Sequence, residues 1–271
     1  MRNIIILIIF IIHLQANTYD EGLRLFQKMK YGEALEIWKN ISTDKNDPRA
    51  QYSIGILYFN GYGVKKNYST AFNWYLKASK SEFPLAQHNL GLMYSKGLGT
   101  TKSNDSAFFW YQKSAKNGLD LAQHNLALMY QNGNGTRKNY KEAIRWFKKA
   151  ASNNLINSQF SLGLIYQFGL GVDKDYKESF KWYEISAERG FAQAQNNLGA
   201  MYDNGYGVDK NYKEAVKWYL KAAKQGVTSS QYNLGIMYEK GLGVKKNHKE
   251  SYIWYKRAAD NGHKKAQLKV K

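Results

Sequence analysis

The chain of 271 residues contains no cysteine and only two prolines. Without a thiol, a disulfide framework, a cysteine nucleophile and a thiolate zinc site are all excluded, so stability must come from packing. Because proline is poorly tolerated inside a helix, Pro48 and Pro84 predict connections between helices. No segment alternates apolar and polar residues with a period of two, so no β-strand is predicted.

Tryptophan recurs with a constant step of 36 residues along most of the chain. A glutamine, a tyrosine and a Gly-x-Gly segment keep the same step. The six tryptophans in this series are Trp74, Trp110, Trp146, Trp182, Trp218 and Trp254. A unit this short cannot bury its own apolar face, so we expect the units to stack on one another as an open solenoid.

Each unit has the pattern of two helices. In one unit, Ala194, Leu198 and Met201 lie at helical spacing, and Gly205 ends the run. The second helix follows with apolar residues again three or four positions apart. A glycine in the middle of the first helix, Gly199 in this unit, costs about 1 kcal/mol relative to alanine. We therefore expect close helix approach there, with a large aromatic of the second helix, such as the tryptophan, seated over the gap.

The repeated motif resembles the Sel1-like repeat, a relative of the tetratricopeptide repeat. The residues that carry this resemblance read Ala-Gln-x-Asn-Leu-Gly-x-Met-Tyr, then Gly-x-Gly-Val, then Asn-Tyr-x-x-Ala, and finally Trp-Tyr-x-Lys-Ala-Ala. The resemblance implies an all-α fold, an α/α superhelical solenoid of helix-turn-helix repeats, with six repeats of 36 residues across 49–265. Residues 17–48 predict an atypical N-terminal cap hairpin, and residues 266–271 predict a truncated C-terminal tail.

The start of the chain has the pattern of an export signal. Arg2 supplies a positive charge, an apolar run extends from Ile4 to Ile12, and Ala16 offers a small residue for cleavage. We expect residues 1–16 to be a signal peptide that is removed, leaving a periplasmic or secreted protein without a membrane span. The alternative is an uncleaved membrane anchor, which is disfavoured because a spanning helix needs about 20 apolar residues.

The chain is strongly basic, with a formal net charge of +19. Lysine accounts for most of the positive charge, and nucleic-acid readers favour arginine for base and phosphate contacts, so nucleic acid is disfavoured as a partner. Lys213, Lys217, Lys221 and Lys224 lie at helical spacing and predict a solvated outer face on a second helix. The alternative interpretation is attraction to acidic partners or to a cell-wall polymer.

Motifs for catalysis and for metal binding are weak. Ser42 and Lys45 form a Ser-x-x-Lys motif, and some relatives by resemblance carry a β-lactamase or penicillin-binding label, but the partner motifs of such serine hydrolases are missing. His88 and His124 occupy the same position in adjacent repeats, about 9–10 Å apart if helices pack as usual, which is too far for one metal ion. We therefore predict no catalytic residue, no metal site and no cofactor, and leave the hydrolase as an alternative.

A partner-binding surface is predicted from the positions that vary between repeats. Two rows of first-helix residues share one helical face. The first row is Tyr52, His88, His124, Phe160, Asn196 and Tyr232, and the second includes Phe59, Gln131, Gln167, Asp203 and Glu239. The resemblance implies that first helices line the concave side, so these residues would form a groove that binds proteins or peptides. The alternative is that Tyr52, Phe160 and Tyr232 only pack between repeats.

Overall fold

The computed structural model describes residues 18–270, and these residues form fifteen helices and no strand. The prediction of an all-α fold is confirmed. The predicted signal peptide at residues 1–16 lies outside the described residues. The chain divides into two units, of which unit 1 ends at Lys138 and unit 2 begins at Asn139.

Unit 1 is a succession of antiparallel helices in which each helix packs on the next one along the chain. Its first hairpin lies within the predicted N-terminal cap and is followed by the first repeats. The helices are α1 Tyr19–Gln27, α2 Tyr31–Asp44, α3 Pro48–Asn60, α4 Tyr68–Ser79, α5 Pro84–Lys96, α6 Asn104–Lys116 and α7 Asp120–Asn132.

Unit 2 follows the same scheme of consecutive helix packing. Its helices are α8 Tyr140–Ser152, α9 Ile156–Phe168, α10 Tyr176–Glu188, α11 Ala192–Asn204, α12 Tyr212–Lys224, α13 Thr228–Lys240, α14 His248–Asp260 and α15 Lys264–Gln267. Across residues 18–270, no helix has both the length and the apolar character that a membrane crossing needs.

The Asn-Tyr motif of each repeat is the start of its second helix. The Oδ1 atom of Asn211 accepts hydrogen bonds from the backbone N–H groups of Lys213 and Glu214, both at 3.1 Å. This cap satisfies helix-end donors that would otherwise have no partner. The corresponding caps elsewhere are Asn67, Ser103, Asn139, Asp175 and Asn247.

The two glycines of Gly-x-Gly have different tasks. Gly205 ends α11 in the left-handed conformation, with φ of 76°, where a side chain is disfavoured. A Cβ atom on Gly207 would collide with the backbone carbonyl of Tyr176, at the start of the second helix of the preceding repeat. The first glycine therefore turns the chain, and the second permits close contact between repeats.

A tyrosine on the second helix covers the mid-helix glycine of the first. A Cβ atom built on Gly199 would lie 2.7 Å from the ring of Tyr219, which is 1% exposed. The same pairs recur as Gly55 with Tyr75, Gly91 with Tyr111, Gly163 with Tyr183 and Gly235 with Tyr255. The expected close approach is present, but naming the tryptophan as its example was wrong, because the tyrosine that follows the tryptophan in these five repeats occupies the gap.

The N-terminal hairpin solves the same packing problem with a different aromatic residue. Trp38 is 1% exposed, lies directly over Gly22, and donates from Nε1 to the carbonyl of Tyr19 at 3.3 Å. Trp38 is the one tryptophan that is not in the series of six. In the 36-residue step of the repeats, it lies one position before the tyrosine that covers the glycine. The hairpin is thus built on the same principle as the repeats but in a shifted register.

The residue directly before the cap of each first helix is left-handed in the repeats. Glycine supplies this conformation at Gly118 (φ 91°) and Gly190 (φ 92°). The chain has Asn46 (φ 49°), Glu82 (φ 55°) and Asn154 (φ 65°) at equivalent places. A non-glycine residue in this region costs about 1–2 kcal/mol, although asparagine tolerates it better than glutamate does.

We predict that Gly199→Ala lowers the free energy of unfolding by about 1–3 kcal/mol, because overpacking against Tyr219 outweighs the gain in helix propensity. Gly32→Ala is the matched control. Gly32 lies in α2, and a Cβ atom added there would have no neighbour within 4 Å, so this change should stabilise by up to about 1 kcal/mol. Urea denaturation measures both, and stabilisation by Gly199→Ala would contradict the packing role of the glycine.

Candidate functional site

The predicted groove residues lie on the first helices of the repeats. In unit 1, Tyr52, His88 and His124 occupy α3, α5 and α7, and in unit 2, Phe160, Asn196 and Tyr232 occupy α9, α11 and α13. All six side chains are half-buried, as are the five members of the second row. Each side chain therefore has one part in contact with the scaffold and another part open to solvent.

The aromatic members of the first row pack on two neighbours. The ring of Tyr52 lies 5.6 Å from that of Tyr75, on the second helix of its repeat, and 5.4 Å from that of Phe83, which precedes the next first helix. In unit 2, Phe160 contacts Tyr183 and Phe191, and Tyr232 contacts Tyr255 and His263. These rings join successive repeats and keep an exposed edge.

His88 forms hydrogen bonds with two asparagines. The Nδ2 atom of Asn125 donates to Nε2 of His88 at 3.0 Å, so Nδ1 carries the proton and donates to Oδ1 of Asn89 at 3.3 Å. Burial lowers the pKa of His88 and also that of His124. Both imidazoles therefore stay uncharged near neutral pH and act as polar, aromatic elements of the row.

Asn196 takes the same position in unit 2 and links two repeats by hydrogen bonds. Its Oδ1 atom accepts from the hydroxyl of Ser230 at 2.8 Å and from that of Ser229 at 3.1 Å. Both serines belong to α13, the first helix of the following repeat. The row thus changes from aromatic contact to polar contact without losing its connection to the next repeat.

The second row accepts hydrogen bonds from the buried tyrosines in unit 2. The hydroxyl of Tyr183 donates to Oε1 of Gln167 at 2.5 Å, that of Tyr219 donates to Oδ2 of Asp203 at 3.4 Å, and that of Tyr255 donates to Oε2 of Glu239 at 2.6 Å. In unit 1, Phe59 packs on Tyr68 at 5.1 Å and near Tyr75, while Gln131 is half-buried near the end of α7.

The two acidic members of the second row have opposite pKa shifts. Burial raises the pKa of Asp203, and the hydrogen bond from Tyr219 only partly offsets it. Hydrogen bonds from Tyr255 and from Lys269 lower the pKa of Glu239, whose Oε1 lies 2.9 Å from the Lys269 ammonium. The charged form of Asp203 is therefore poorly stabilised, whereas that of Glu239 is stabilised by the Lys269 ammonium.

The tyrosines that join the two helices of a repeat were missed as site residues. Tyr111 is 5% exposed, and burial raises its pKa to about 12. Burial also raises the pKa of Tyr183 and Tyr219. The repeated Trp-Tyr pair carries this signal in the sequence. The hydroxyl links the core to the variable row.

Ser42 does not have the setting of a hydrolase nucleophile. It lies in the last turn of α2, and Thr43 and Asp44 complete that helix. The Ser42 hydroxyl donates to the carbonyl of Lys39 at 2.8 Å. Lys45 is exposed at the residue after the helix.

Metal-binding geometry is not found in the part of the chain that the structure describes. Within residues 18–270, no three His, Asp or Glu side chains converge in a way that could hold a metal ion. His88 is oriented by Tyr111 and by hydrogen bonds with Asn89 and Asn125. The arrangement offers aromatic, amide and carboxylate groups for contact with a partner.

The exposed faces of the second helices are rich in lysine. Lys213, Lys217, Lys221 and Lys224 of α12 are all exposed, in agreement with the predicted outer face. The Lys221 ammonium lies 3.9 Å from the centre of the Trp218 ring. A cation covers the tryptophan at the same place in other repeats, as with Lys77 on Trp74 and Arg257 on Trp254.

We predict that Asp203→Asn raises the free energy of unfolding at pH 7. The folded-state pKa of Asp203 is above its ordinary value of 3.8, so folding favours the protonated acid and stability is lost as the pH rises through the folded-state pKa. The gain of the variant should vanish below pH 3.8. Glu239→Gln should show the opposite sign at pH 7, because the pKa of Glu239 is lowered. Denaturation curves across pH measure both, and equal signs would refute this assignment.

Comparison with known proteins gives one family and related structures. The Sel1 repeat family matches at residues 48–82, 84–119, 120–155, 156–191, 192–227 and 228–263. The comparison with curated protein sequences gave no match. A Sel1 repeat protein from Oxalobacter formigenes is 36% identical, with a TM-score of 0.77, over 90% of this chain and 97% of that chain.

A second crystal structure is similar over nearly the whole chain. It is described as a protective antigen present in uropathogenic Escherichia coli strains displaying an SLR fold. The TM-score is 0.90 at 30% identity, with 95% of this chain covered. The present chain spans 57% of that protein's length. From its six repeat matches and these structures, the chain belongs to the Sel1-repeat family, whose members generally act as protein-interaction scaffolds.

Proposed function

We propose that this protein is a scaffold that binds partner proteins or peptides through the two rows of first-helix residues. The observation that carries the proposal is the contrast between scaffold and row. The Gly–Tyr interlock and the helix caps recur in repeat after repeat, whereas the half-exposed row residues change in chemistry. A surface whose residues vary from repeat to repeat on a constant scaffold is suited to the specific binding of one partner sequence.

The row residues are already ordered before a partner arrives. In unit 2, Phe160 is fixed by Tyr183 and Phe191, and Asn196 is fixed by hydrogen bonds to serines of the following repeat. A partner that contacts their exposed edges needs to immobilise few additional side chains. Since the ordering of flexible side chains opposes binding by about 0.5–1.5 kcal/mol each, this arrangement supports affinity for a partner.

The basic second-helix faces would add long-range attraction. Lys213, Lys217, Lys221 and Lys224 are exposed, and the formal net charge of the chain is +19. Exposed charges increase the association rate for acidic partners, and salt screens the effect over about 8–10 Å. We therefore assign specificity to the rows and a salt-sensitive contribution to the lysines.

We predict that Phe160→Ala combined with Gln167→Ala abolishes specific capture of a partner, because it removes two adjacent contacts of unit 2. Capture from an envelope extract, identification by mass spectrometry and titration with the purified partner provide the measurement. Lys217→Gln with Lys221→Gln is the matched control on the outer face. This control should slow association at low salt and have little effect near 0.15 M salt.

Two results decide the outcome of that comparison. A partner lost by the row variant and kept by the lysine variant, with both variants folded by circular dichroism, supports binding through the rows. Equal titration curves for the wild-type protein and the row variant would refute it. Loss of the partner only in the lysine variant would transfer the binding surface to the outer face.

The export of the protein is a separate proposal that rests on residues 1–16. We predict that the mature chain begins at Asn17, because Ala16 is the small residue that follows the apolar run. Intact-mass analysis of the protein from its native host measures the cleavage position, and cell fractionation measures its compartment. Recovery of the full-length chain from the cytoplasm would contradict the proposal.

A further inference from the structure

A cavity of about 320 Å³ lies in unit 1 between the N-terminal hairpin and the first repeat. Ser42 and Thr43 of α2 form one side, and Trp74 and Lys77 of α4 form another together with Lys80, the residue directly after that helix. The remaining lining residues, Asn46 and Gln51, come from the connection between the hairpins and from α3. None of these residues belongs to the two predicted groove rows.

Gln51 places a buried acceptor without a partner at this cavity. The side chain is 2% exposed, and its Oε1 atom has no hydrogen-bond partner among the described residues. Its Nε2 atom donates to Oδ1 of Asn46 at 2.6 Å. A buried carbonyl oxygen without a hydrogen bond is unfavourable, so a ligand that donates a hydrogen bond there would gain binding free energy.

The position that pairs this oxygen in three other repeats differs at Gln51. In those repeats, the residue 30 positions after the glutamine reaches back and donates to the oxygen, whereas Asn153, 30 positions after Gln123, leaves it unpaired. Asn117 donates to Gln87 at 3.0 Å, Gln225 to Gln195 at 2.8 Å, and Asn261 to Gln231 at 3.0 Å. The corresponding residue for Gln51 is Ser81, whose side chain is too short to carry an amide to that point.

Gln51 also differs from glutamines that have the same unpaired oxygen. Oε1 is without a partner on Gln123 and Gln159 as well, but their Nε2 atoms donate to the helix carbonyls of Ala115 and Ala151 at 3.3 Å. Gln51 instead donates to the side chain of Asn46, and its amide lines the open cavity.

The cavity combines cations with hydrogen-bond acceptors. Lys77 and Lys80 lie one helical turn apart, and the Lys77 ammonium is 4.3 Å from the centre of the Trp74 ring. Neither lysine pairs with a carboxylate among residues 18–270. The hydroxyls of Ser42 and Thr43 both donate to the carbonyl of Lys39, so their oxygen atoms can still accept a hydrogen bond.

We propose that this cavity binds a peptide carboxylate together with a neighbouring backbone N–H of the same peptide. The carboxylate lies between the Lys77 and Lys80 ammonium groups, and the N–H donates to Oε1 of Gln51. A carboxylate next to a donor matches the two lysines and the unpaired oxygen at once, whereas a fully deprotonated inorganic anion such as sulfate supplies no such donor. The choice of a peptide over another carboxylate rests on the general protein-interaction function of the family, not on the groove rows.

The carboxylate can come from a chain end or from an acidic side chain, and three labelled peptides separate these sources. One glycine-serine peptide has a free C-terminal carboxylate, the second has a C-terminal amide, and the third has the amide plus one internal glutamate. Fluorescence anisotropy near 0.15 M salt measures binding to the full mature chain. We expect at least one of the two carboxylate peptides to bind and the plain amide not to bind.

Two variants test the site and one tests its specificity. Lys77→Gln with Lys80→Gln should weaken binding by about tenfold or more, because charge-assisted hydrogen bonds are lost. Ser81→Asn should also weaken it, without a change in charge, because an amide at this position pairs with the glutamine oxygen in three other repeats. Lys113→Gln with Lys116→Gln is the matched control. These lysines hold the equivalent positions beside Trp110, where the oxygen of Gln87 is already paired with Asn117.

The outcomes are distinct. Weaker binding in both test variants with unchanged binding in the control supports the proposal, and a raised melting temperature for Ser81→Asn shows that this variant is folded. Binding that is equal in the wild-type protein and in either test variant overturns it. Failure of all three peptides to bind overturns it too, as does displacement of a bound peptide by glucuronate at lower concentration than by acetylglycine. The purified chain alone is used, so these results do not depend on the partner captured through the rows.

Discussion

The contact between a second-helix tyrosine and a first-helix glycine is the interaction on which the other features depend. Because the first helix has no side chain at Gly199, the ring of Tyr219 can approach its backbone and fix the distance between the two helices. The same contact sets the direction of the tyrosine hydroxyl. That hydroxyl reaches Asp203 near the end of α11, so the packing of the core determines where a variable residue is held.

Because the core fixes the position of this surface group, the repeats can differ in charge without differing in shape. The hydroxyls of Tyr183, Tyr219 and Tyr255 meet an amide, a weakly supported carboxylate and a carboxylate paired with a lysine. The three contacts join the same positions of the repeat, while their lengths, charges and pKa shifts differ. The repeated element is therefore the position of an acceptor, and its chemistry is free to change.

The periodicity of the sequence was sufficient to predict the fold because each repeated residue meets a local structural requirement. The glycine after each first helix is left-handed and could be identified from the sequence, whereas the cap formed by the residue before each second helix, usually asparagine, is seen only in the structure. The tyrosine over glycine could not be separated from the adjacent tryptophan, since both are large aromatics. Only the direction of the Tyr219 side chain distinguishes them.

The rows of the candidate site were located by comparison of repeats, but their contacts depend on neighbours in the next repeat. Nothing in the spacing of Tyr52 indicates that Phe83 lies against its ring. The cavity beside Gln51 was not predicted at all. The cavity lies where a hydrogen bond present in three other repeats is missing. A pattern of recurring residues does not show what a short side chain at Ser81 means for the structure.

The missing donor at Ser81 has a wider consequence for how repeat arrays acquire new surfaces. Each glutamine that is closed by an asparagine or glutamine 30 residues later marks a junction at which truncation of that one side chain would expose an acceptor next to lysine and tryptophan. Such a change leaves the helix caps and the interlocked core in place. Arrays of this kind can therefore gain or lose a small-ligand pocket at a junction by a single codon change, independently of the number of repeats.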